Sequence, residues 1–250
     1  MALAGLEEAR VVRTPAFARI ADTAALVVPR HEIALIHGPH STGKRTALNT
    51  WLAGQELPVA RLTLAGNESG RKLLQLLHDQ VIAPDDLPER DLQDDLVEAL
   101  AAQPRIVVVE HTERCTAEAA GQIEWLHGRP GQQAAWFLLG GPQAAKAIGR
   151  DPLLWDAICA TVEVAPLTDE VLLRALRGMH DLFAGADTDL LTEIDTRVCH
   201  GVLGRWSRFL QHAIHLRDQA VALGRERPVL DRPFAKAVLA SMPATVLKKR

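Results

Sequence analysis

Eight consecutive residues, Gly38-Pro39-His40-Ser41-Thr42-Gly43-Lys44-Arg45, carry the most legible chemistry in this chain. They follow a short apolar stretch, Ile33-Ala34-Leu35-Ile36, and lead into a helical pattern that starts near Lys44. A strand, then G-x-x-x-x-G-K, then a helix is a phosphate-binding loop. Gly38 and Gly43 permit the backbone angles that turn a row of N–H groups around a phosphate, and the helix N-terminus adds partial positive charge there. Lys44 would reach the outer phosphates as a point charge. The next position breaks the pattern. Where such a loop needs Ser or Thr to put a hydroxyl on Mg²⁺, the chain has Arg45, a guanidinium that only donates. Thr46 supplies a hydroxyl one residue late, about 100° further round the helix. The loop from Gly38 to Thr46 therefore predicts a bound nucleotide, with Mg²⁺ a weaker expectation.

A second landmark is Arg105-Ile106-Val107-Val108-Val109-Glu110-His111. Four consecutive apolar residues ending in a polar pair predict a strand covered on both faces, as in a parallel sheet. An acid at the end of such a strand, Glu110, is placed to steady Mg²⁺ beside a phosphate loop, which makes Thr46 and Glu110 the candidate metal ligands. A neutral imidazole accepts a proton near pH 7, so His111 is a candidate catalytic base next to Glu110; the alternative is a vestige without a role. His37, His40 and His111 with Glu110 would also suit a transition metal, if strand ends bring them together.

The elements that must position these groups alternate. A helix over 15–27 opens at Thr14-Pro15, and its Ile20, with Val27 and Val28, faces either a nucleotide base or the core. Strands are predicted at 59–64, 106–109, 134–139 and 161–164, and helices at 71–82, 117–126 and after Gly140-Gly141-Pro142. Residues 85–98 read as an amphipathic helix with an acidic outer face. Strands alternating with helices predict an α/β fold of βαβ units around one parallel sheet. From Pro166 onward only helices are predicted. One has Val171, Leu172, Ala175, Leu176 and Met179 inward, one runs from Asp187 to Val198, and two more cover about 205–223 and 231–241. This gives a core over 1–165 and a helical domain over 166–250.

Composition is that of a soluble chain: 250 residues, 48% hydrophobic and 24% charged. Glu7, Glu8 and Arg10 interrupt the N-terminal apolar residues, which argues against a signal peptide. No run approaches the roughly 18 to 20 apolar residues of a membrane span. Three widely spaced cysteines, Cys115, Cys159 and Cys199, fit reduced thiols in a cytoplasmic protein. The net charge of −3 hides an asymmetry: residues 200–250 hold ten Lys/Arg against three Asp/Glu, and the remainder 18 against 28. That basic C-terminal fifth fits DNA contact, or equally a solvated helical face with a basic tail.

The phosphate loop (a Walker A pattern), the buried strand ending in acid, the further strands and the helical C-terminal region together resemble an AAA+ ATPase of the P-loop NTPase class. Within that family the likeness is to the bacterial transposition-helper and Orc-like ATPases, over roughly residues 12 to 225. The stretch Val162-Glu163-Val164-Ala165-Pro166-Leu167 looks like the junction between the fifth strand and the helical lid. The resemblance implies a three-layer core with strand order 5-1-4-3-2, ATP held between core and lid, homo-oligomeric rings or filaments, and action on DNA through a partner such as a transposase. Carried onto this chain, Lys44 matches the phosphate-binding lysine, Glu110 the Mg²⁺-associated aspartate, and Arg205 or Arg208 the lid arginine. Arg45 departs from the metal-ligating Ser or Thr, His111 replaces the glutamate that polarises water, and Leu154-Trp155-Asp156-Ala157-Ile158-Cys159 has no arginine finger. Three departures at the hydrolytic positions imply ATP binding with weak or lost hydrolysis, in a nucleotide-dependent switch or scaffold. The alternatives are an active ATPase using Thr46, Glu110 and His111, and a nucleotide-free interaction protein that works through its basic lid.

Overall fold

Every residue of β3 (Arg105–Glu110) and β4 (Ala134–Leu139) is buried. Runs such as Val107-Val108-Val109 and Trp136-Phe137-Leu138 have no polar side to turn outward, so both faces must be covered. The computed structural model describes residues 9–66, 68–82 and 91–243. In it, β3 and β4 lie inside a five-stranded sheet with β1 (Ile33–His37), β2 (Val59–Thr63) and β5 (Ile158–Glu163). All pairs are parallel, and the order β2-β3-β4-β1-β5 is the 5-1-4-3-2 order implied by the resemblance, counted from the other edge.

Helices cover each face. Ile33, Leu35, Val107, Val109, Trp136 and Leu138 point to one side, against α3 (Gly70–Val81), α4 (Leu92–Ala102), α5 (Ala117–His127), α6 (Ala144–Ile148) and α7 (Pro152–Ala157). Ala34, Ile36, Val108 and Phe137 point to the other, against α1 (Pro15–Val27) and α2 (Lys44–Leu52). The alternation of side chains along each strand sorts these two sets. Ile20, Val27 and Val28 belong to the second core layer.

The pairing register sets which strand ends meet. Thr63 is opposite Glu110, Glu110 opposite Leu139, and Leu139 opposite Ile36. One row across the sheet therefore brings the ends of β1, β3 and β4 side by side, and the phosphate loop, His111 and Gly140 emerge from it.

The described residues divide into two compact units, one of residues 16–40 and 47–164, the other of residues 9–15, 41–46 and 165–243. The second contains α8 (Asp169–Met179), α9 (Asp181–Ala184), α10 (Thr188–Ile194), α11 (Leu203–Ala222) and α12 (Arg232–Ser241). Its core is aromatic: Phe183 meets Trp206 edge-on at 5.4 Å between centroids, and Trp206 meets Phe209 at 5.8 Å. Among the described residues no helix is long and apolar enough to cross a membrane.

Several elements differ from the sequence expectation. β5 starts at Ile158, three residues before the expected Thr161, because it is an edge strand whose half-exposed and exposed residues alternate. Val171 is exposed, since the inward stripe of α8 is Leu172, Ala175, Leu176 and Met179. The acidic outer face is broken by Asp95, which is buried with its carboxylate 3.9 Å from His78 Nε2; residues 85–90 of that segment lie outside the described residues. The helix expected to run from Asp187 to Val198 is regular only to Ile194 and continues as a π-helical turn, Asp195–Cys199.

Candidate nucleotide-binding site

The loop leaves β1 at Gly38, which is buried with φ +134°. A Cβ there would sit inside the van der Waals shell of the Val164 carbonyl oxygen. That carbonyl cannot drift, because the Val164 N–H donates to His37 O at 2.8 Å and extends the β1–β5 ladder. Glycine is thus required at 38 for its angle and for its missing side chain. Further along, Ser41 has φ +63° and Gly43 +94°. Left-handed angles at three of six positions fold the backbone into the concave N–H surface that binds anions. The Ser41 carbonyl accepts from Gly204 N at 2.9 Å, at the start of α11. Lys44 Nζ donates to the hydroxyl of the buried Thr42 at 3.5 Å, so the lysine head lies back over the loop. The Pro39 and Thr46 side chains are half-buried, and those of His40 and Arg45 are exposed.

Glu110 closes β3, accepting from Thr63 Oγ1 at 3.4 Å. His111 follows with φ +61°, a left-handed angle that turns the chain into a short 3₁₀ turn over Thr112–Arg114. That turn returns Glu113 toward the site. One oxygen of Glu113 lies 3.4 Å from His111 Nδ1, and the other accepts the Gly141 N–H at 2.6 Å, just beyond β4. A carboxylate only accepts, so the pairing fixes the His111 proton on Nδ1 and leaves Nε2 as its basic nitrogen. A side chain on Gly141 would strike the His40 ring at 2.9 Å and the Glu113 carboxyl at 3.3 Å. His40 and Glu113 therefore meet at one glycine, and His111 is held on the other oxygen of Glu113. The sequence reading singled out the two histidines and missed Glu113 and Gly141.

Burial alone would push the Glu113 carboxyl up, but the Gly141 N–H, its own N–H and His111 together hold it below its ordinary value of 4.5. A depressed folded pKa gives stability that is present above about 4.5 and lost as pH falls through the folded value. We expect Glu113→Gln to cost about 1 kcal/mol near neutrality. The gap from the parent should close on acidification below 4.5. Urea unfolding at stepped pH checks this, and a gap that stays constant into acid would remove Glu113 as the group responsible.

The remaining residues sort as follows. Arg205 Nη1 donates to Val198 O at 2.8 Å, at the end of the π-helical turn. The turn itself is held by Asp195, whose carboxylate accepts from Gly201 N at 2.7 Å and from the Trp206 indole at 3.0 Å. Thr46 and Glu110 are the residues expected to offer oxygen to Mg²⁺, but the position after Lys44 is a guanidinium, which cannot ligate a cation. The donor set thus does not match the one the resemblance implies. Among the described residues, no group of three or more His, Cys, Asp or Glu is arranged to hold a metal ion, which leaves the transition-metal alternative without support. Burial pushes the Cys115 thiol up to about 12, so it is inert near neutrality.

No protein-family model and no curated protein matches the sequence. Solved structures do match the fold. Similar are the ORC2 protein of Aeropyrum pernix in its ADPNP–ADP complexes, with 16% identity, TM-score 0.64, 92% of this chain and 68% of that one covered; and Cdc6p of Pyrobaculum aerophilum, with 15% identity, TM-score 0.68, and 95% and 71% covered. The ORC1 protein of Aeropyrum pernix in complex with DNA matches with 14% identity, TM-score 0.57, and 92% and 65% covered. With the parallel sheet order, the phosphate loop after β1 and the helices that follow β5, these likenesses identify the fold of this chain as that of the AAA+ P-loop nucleoside triphosphatases.

Proposed function

We propose that this chain binds ATP in the Gly38–Thr46 loop, hydrolyses it weakly or not at all, and acts as a nucleotide-dependent switch or scaffold for a DNA-acting partner. One observation carries the reading: an intact phosphate cradle, left-handed at Gly38, Ser41 and Gly43, runs into a helix whose second residue is the exposed Arg45. The cradle and Lys44 supply what phosphate binding needs. Arg45 brings positive charge where a metal-ligating hydroxyl belongs, so it offsets phosphate charge without polarising a nucleophile. The missing arginine before β5 points the same way. The described form of the similar ORC2 protein, with ADPNP and ADP, supports nucleotide as the ligand, and that of ORC1 supports DNA as the context. Residues 166–250 would serve as the lid, with Arg205 near phosphate, the basic α11 and α12 toward DNA, and copies of the chain as neighbours in an assembly.

Titration with labelled ATP, in Mg²⁺ and in a chelator, tests this. Affinity should be nearly the same in both, and Lys44→Ala should weaken it by about 10- to 100-fold, the loss of one charged contact of about 1.5 to 3 kcal/mol. Brisk turnover that requires Mg²⁺ and disappears in Lys44→Ala would overturn the proposal.

The His111–Glu113 pair favours a second reading, in which slow hydrolysis proceeds with His111 Nε2 as base, Glu110 beside it and Thr46 as the late hydroxyl. There, His111→Ala lowers turnover and leaves ATP affinity intact; an unchanged rate removes His111 from the chemistry.

A further inference from the structure

The phosphate loop rests on a helix far along the chain. Ser41, at the crown of the loop, holds φ +63°. Residues with a Cβ are crowded by their own backbone in that region and stay there only where neighbouring structure holds them. Here the holding group is backbone: the Gly204 N–H, in the first turn of α11, donates to the Ser41 carbonyl at 2.9 Å. Leu203 covers the next part of the loop, since a Cβ on Gly43 would meet its Cδ1 at 3.7 Å.

The same contact explains the residue at 204. Gly204 has no left-handed angle and lies within regular helix, where alanine is the better helix former. What forbids a side chain is Ser41: an added Cβ would lie 2.5 Å from the Ser41 Cβ, 3.1 Å from its carbonyl oxygen and 3.2 Å from its hydroxyl. Glycine at 204 therefore serves the loop and not the helix it belongs to.

The first turn of α11 is anchored in its turn. Arg205 Nη1 donates to Val198 O at 2.8 Å, and the Trp206 indole and the Gly201 N–H share the Asp195 carboxylate. Gly201 O accepts from Leu167 N at 2.9 Å, which ties the turn before α11 to the segment that precedes α8. The Ser41 bond thus depends on where these contacts seat α11, and a shift of about half an ångström carries a 2.9 Å bond beyond its normal range.

We propose that Gly204 is a positioning residue for nucleotide and that the first turn of α11 gates nucleotide release. While the Gly204 amide holds Ser41, the loop keeps its anion-binding curvature. When α11 is drawn off, Ser41 leaves the left-handed region, the row of N–H groups disperses and phosphate is let go. This gating rests on nucleotide binding in the Gly38–Thr46 loop. It gives anything that displaces α11 control of release without a contact to nucleotide.

The test uses the full chain in two experiments. Stopped-flow release of methylanthraniloyl-ATP, chased with unlabelled ATP, compares the parent, Gly204→Ala, Ser41→Gly and the double variant. Hydrogen exchange at residues 41–46 is followed without nucleotide, and circular dichroism verifies folding. Gly204→Ala should speed release by about tenfold, the loss of one hydrogen bond, and should speed loop exchange. Ser41→Gly removes both the backbone strain and the Cβ that the new side chain strikes. On that background Gly204→Ala should speed release by less than about threefold. Release unchanged by Gly204→Ala overturns the proposal, and so does equal acceleration on both backgrounds, which would place the effect in the fold of α11. A parent that holds no nucleotide removes the nucleotide reading and the release step with it. Hydrogen exchange keeps the two failures apart, because loop exchange equal in the parent and Gly204→Ala overturns the Gly204 clamp by itself.

Discussion

Gly38→Ala should abolish ATP binding and destabilise the protein by on the order of 3 kcal/mol or more. Two costs add. An L side chain at φ +134° is held in backbone territory that only glycine occupies freely, worth about 1 to 3 kcal/mol. The new Cβ also runs into the Val164 carbonyl, which the β1–β5 ladder holds in place. Gly66 separates the two effects, because its φ is +139° while a Cβ there meets nothing within 4 Å. Gly66→Ala should therefore show the angular cost alone, and the difference between the variants in urea unfolding isolates the collision. Equal costs would mean that the β5 end yields, and that the loop is held less firmly than the ladder implies.

The second large effect is expected at Trp206, which is fully buried between Phe183 and Phe209. Trp206→Ala removes the centre of that cluster and should cost about 3 to 5 kcal/mol. Trp206→Phe keeps a ring but loses the indole N–H held by Asp195, while Asp195 retains the Gly201 N–H. Its cost should be nearer 1 to 2 kcal/mol, with ring shape and one hydrogen bond contributing together. Far-UV circular dichroism in denaturant reads both, because five tryptophans in the chain blur a fluorescence signal. Parity between the two variants would show that the polar anchor outweighs the packing.

What the sequence made legible follows from how strongly each environment constrains its residues. β3 and β4, covered on both faces, had to be continuous apolar runs, and Ile106 to Val109 and Ala134 to Leu139 could be read directly. The edge strand β5 gave less away: Cys159, Ala160 and Thr161 alternate in exposure, and with one side open nothing forces them to be apolar. On α8 the stripe at Leu172, Ala175, Leu176 and Met179 leaves Val171 outside, a choice that helical period settles and hydrophobicity alone does not. Asp95 was invisible as a buried residue because its partner, His78, lies on a different helix.

The site divides in the same way. Gly38, Gly43 and Lys44 stand at fixed spacing because one local turn needs all of them, so a motif reveals them. Glu113 and Gly141, 28 residues apart, meet because β3 and β4 pair after an intervening crossover helix, and no local spacing encodes that meeting. The left-handed turn at His111, which carries Glu113 back, is equally silent: histidine adopts positive φ more readily than most residues, yet only a small share of histidines do, so its identity alone does not mark the turn. The π-helical turn depended on Asp195 reaching six residues ahead to the Gly201 amide.

The division of the chain into units bears on its modularity. Residues 41–46 are sorted with the helices although the strand before them and most of the helix after them belong to the sheet. The backbone therefore passes between units four times, at 15/16, 40/41, 46/47 and 164/165, and no single cut yields either one whole. A fragment ending at residue 165 would keep the whole G-x-x-x-x-G-K sequence yet lose Gly204, whose amide the Ser41 carbonyl accepts. The phosphate loop is contiguous as a motif and composite as a structure, so grafting or truncating by motif boundaries would transplant its letters without its support.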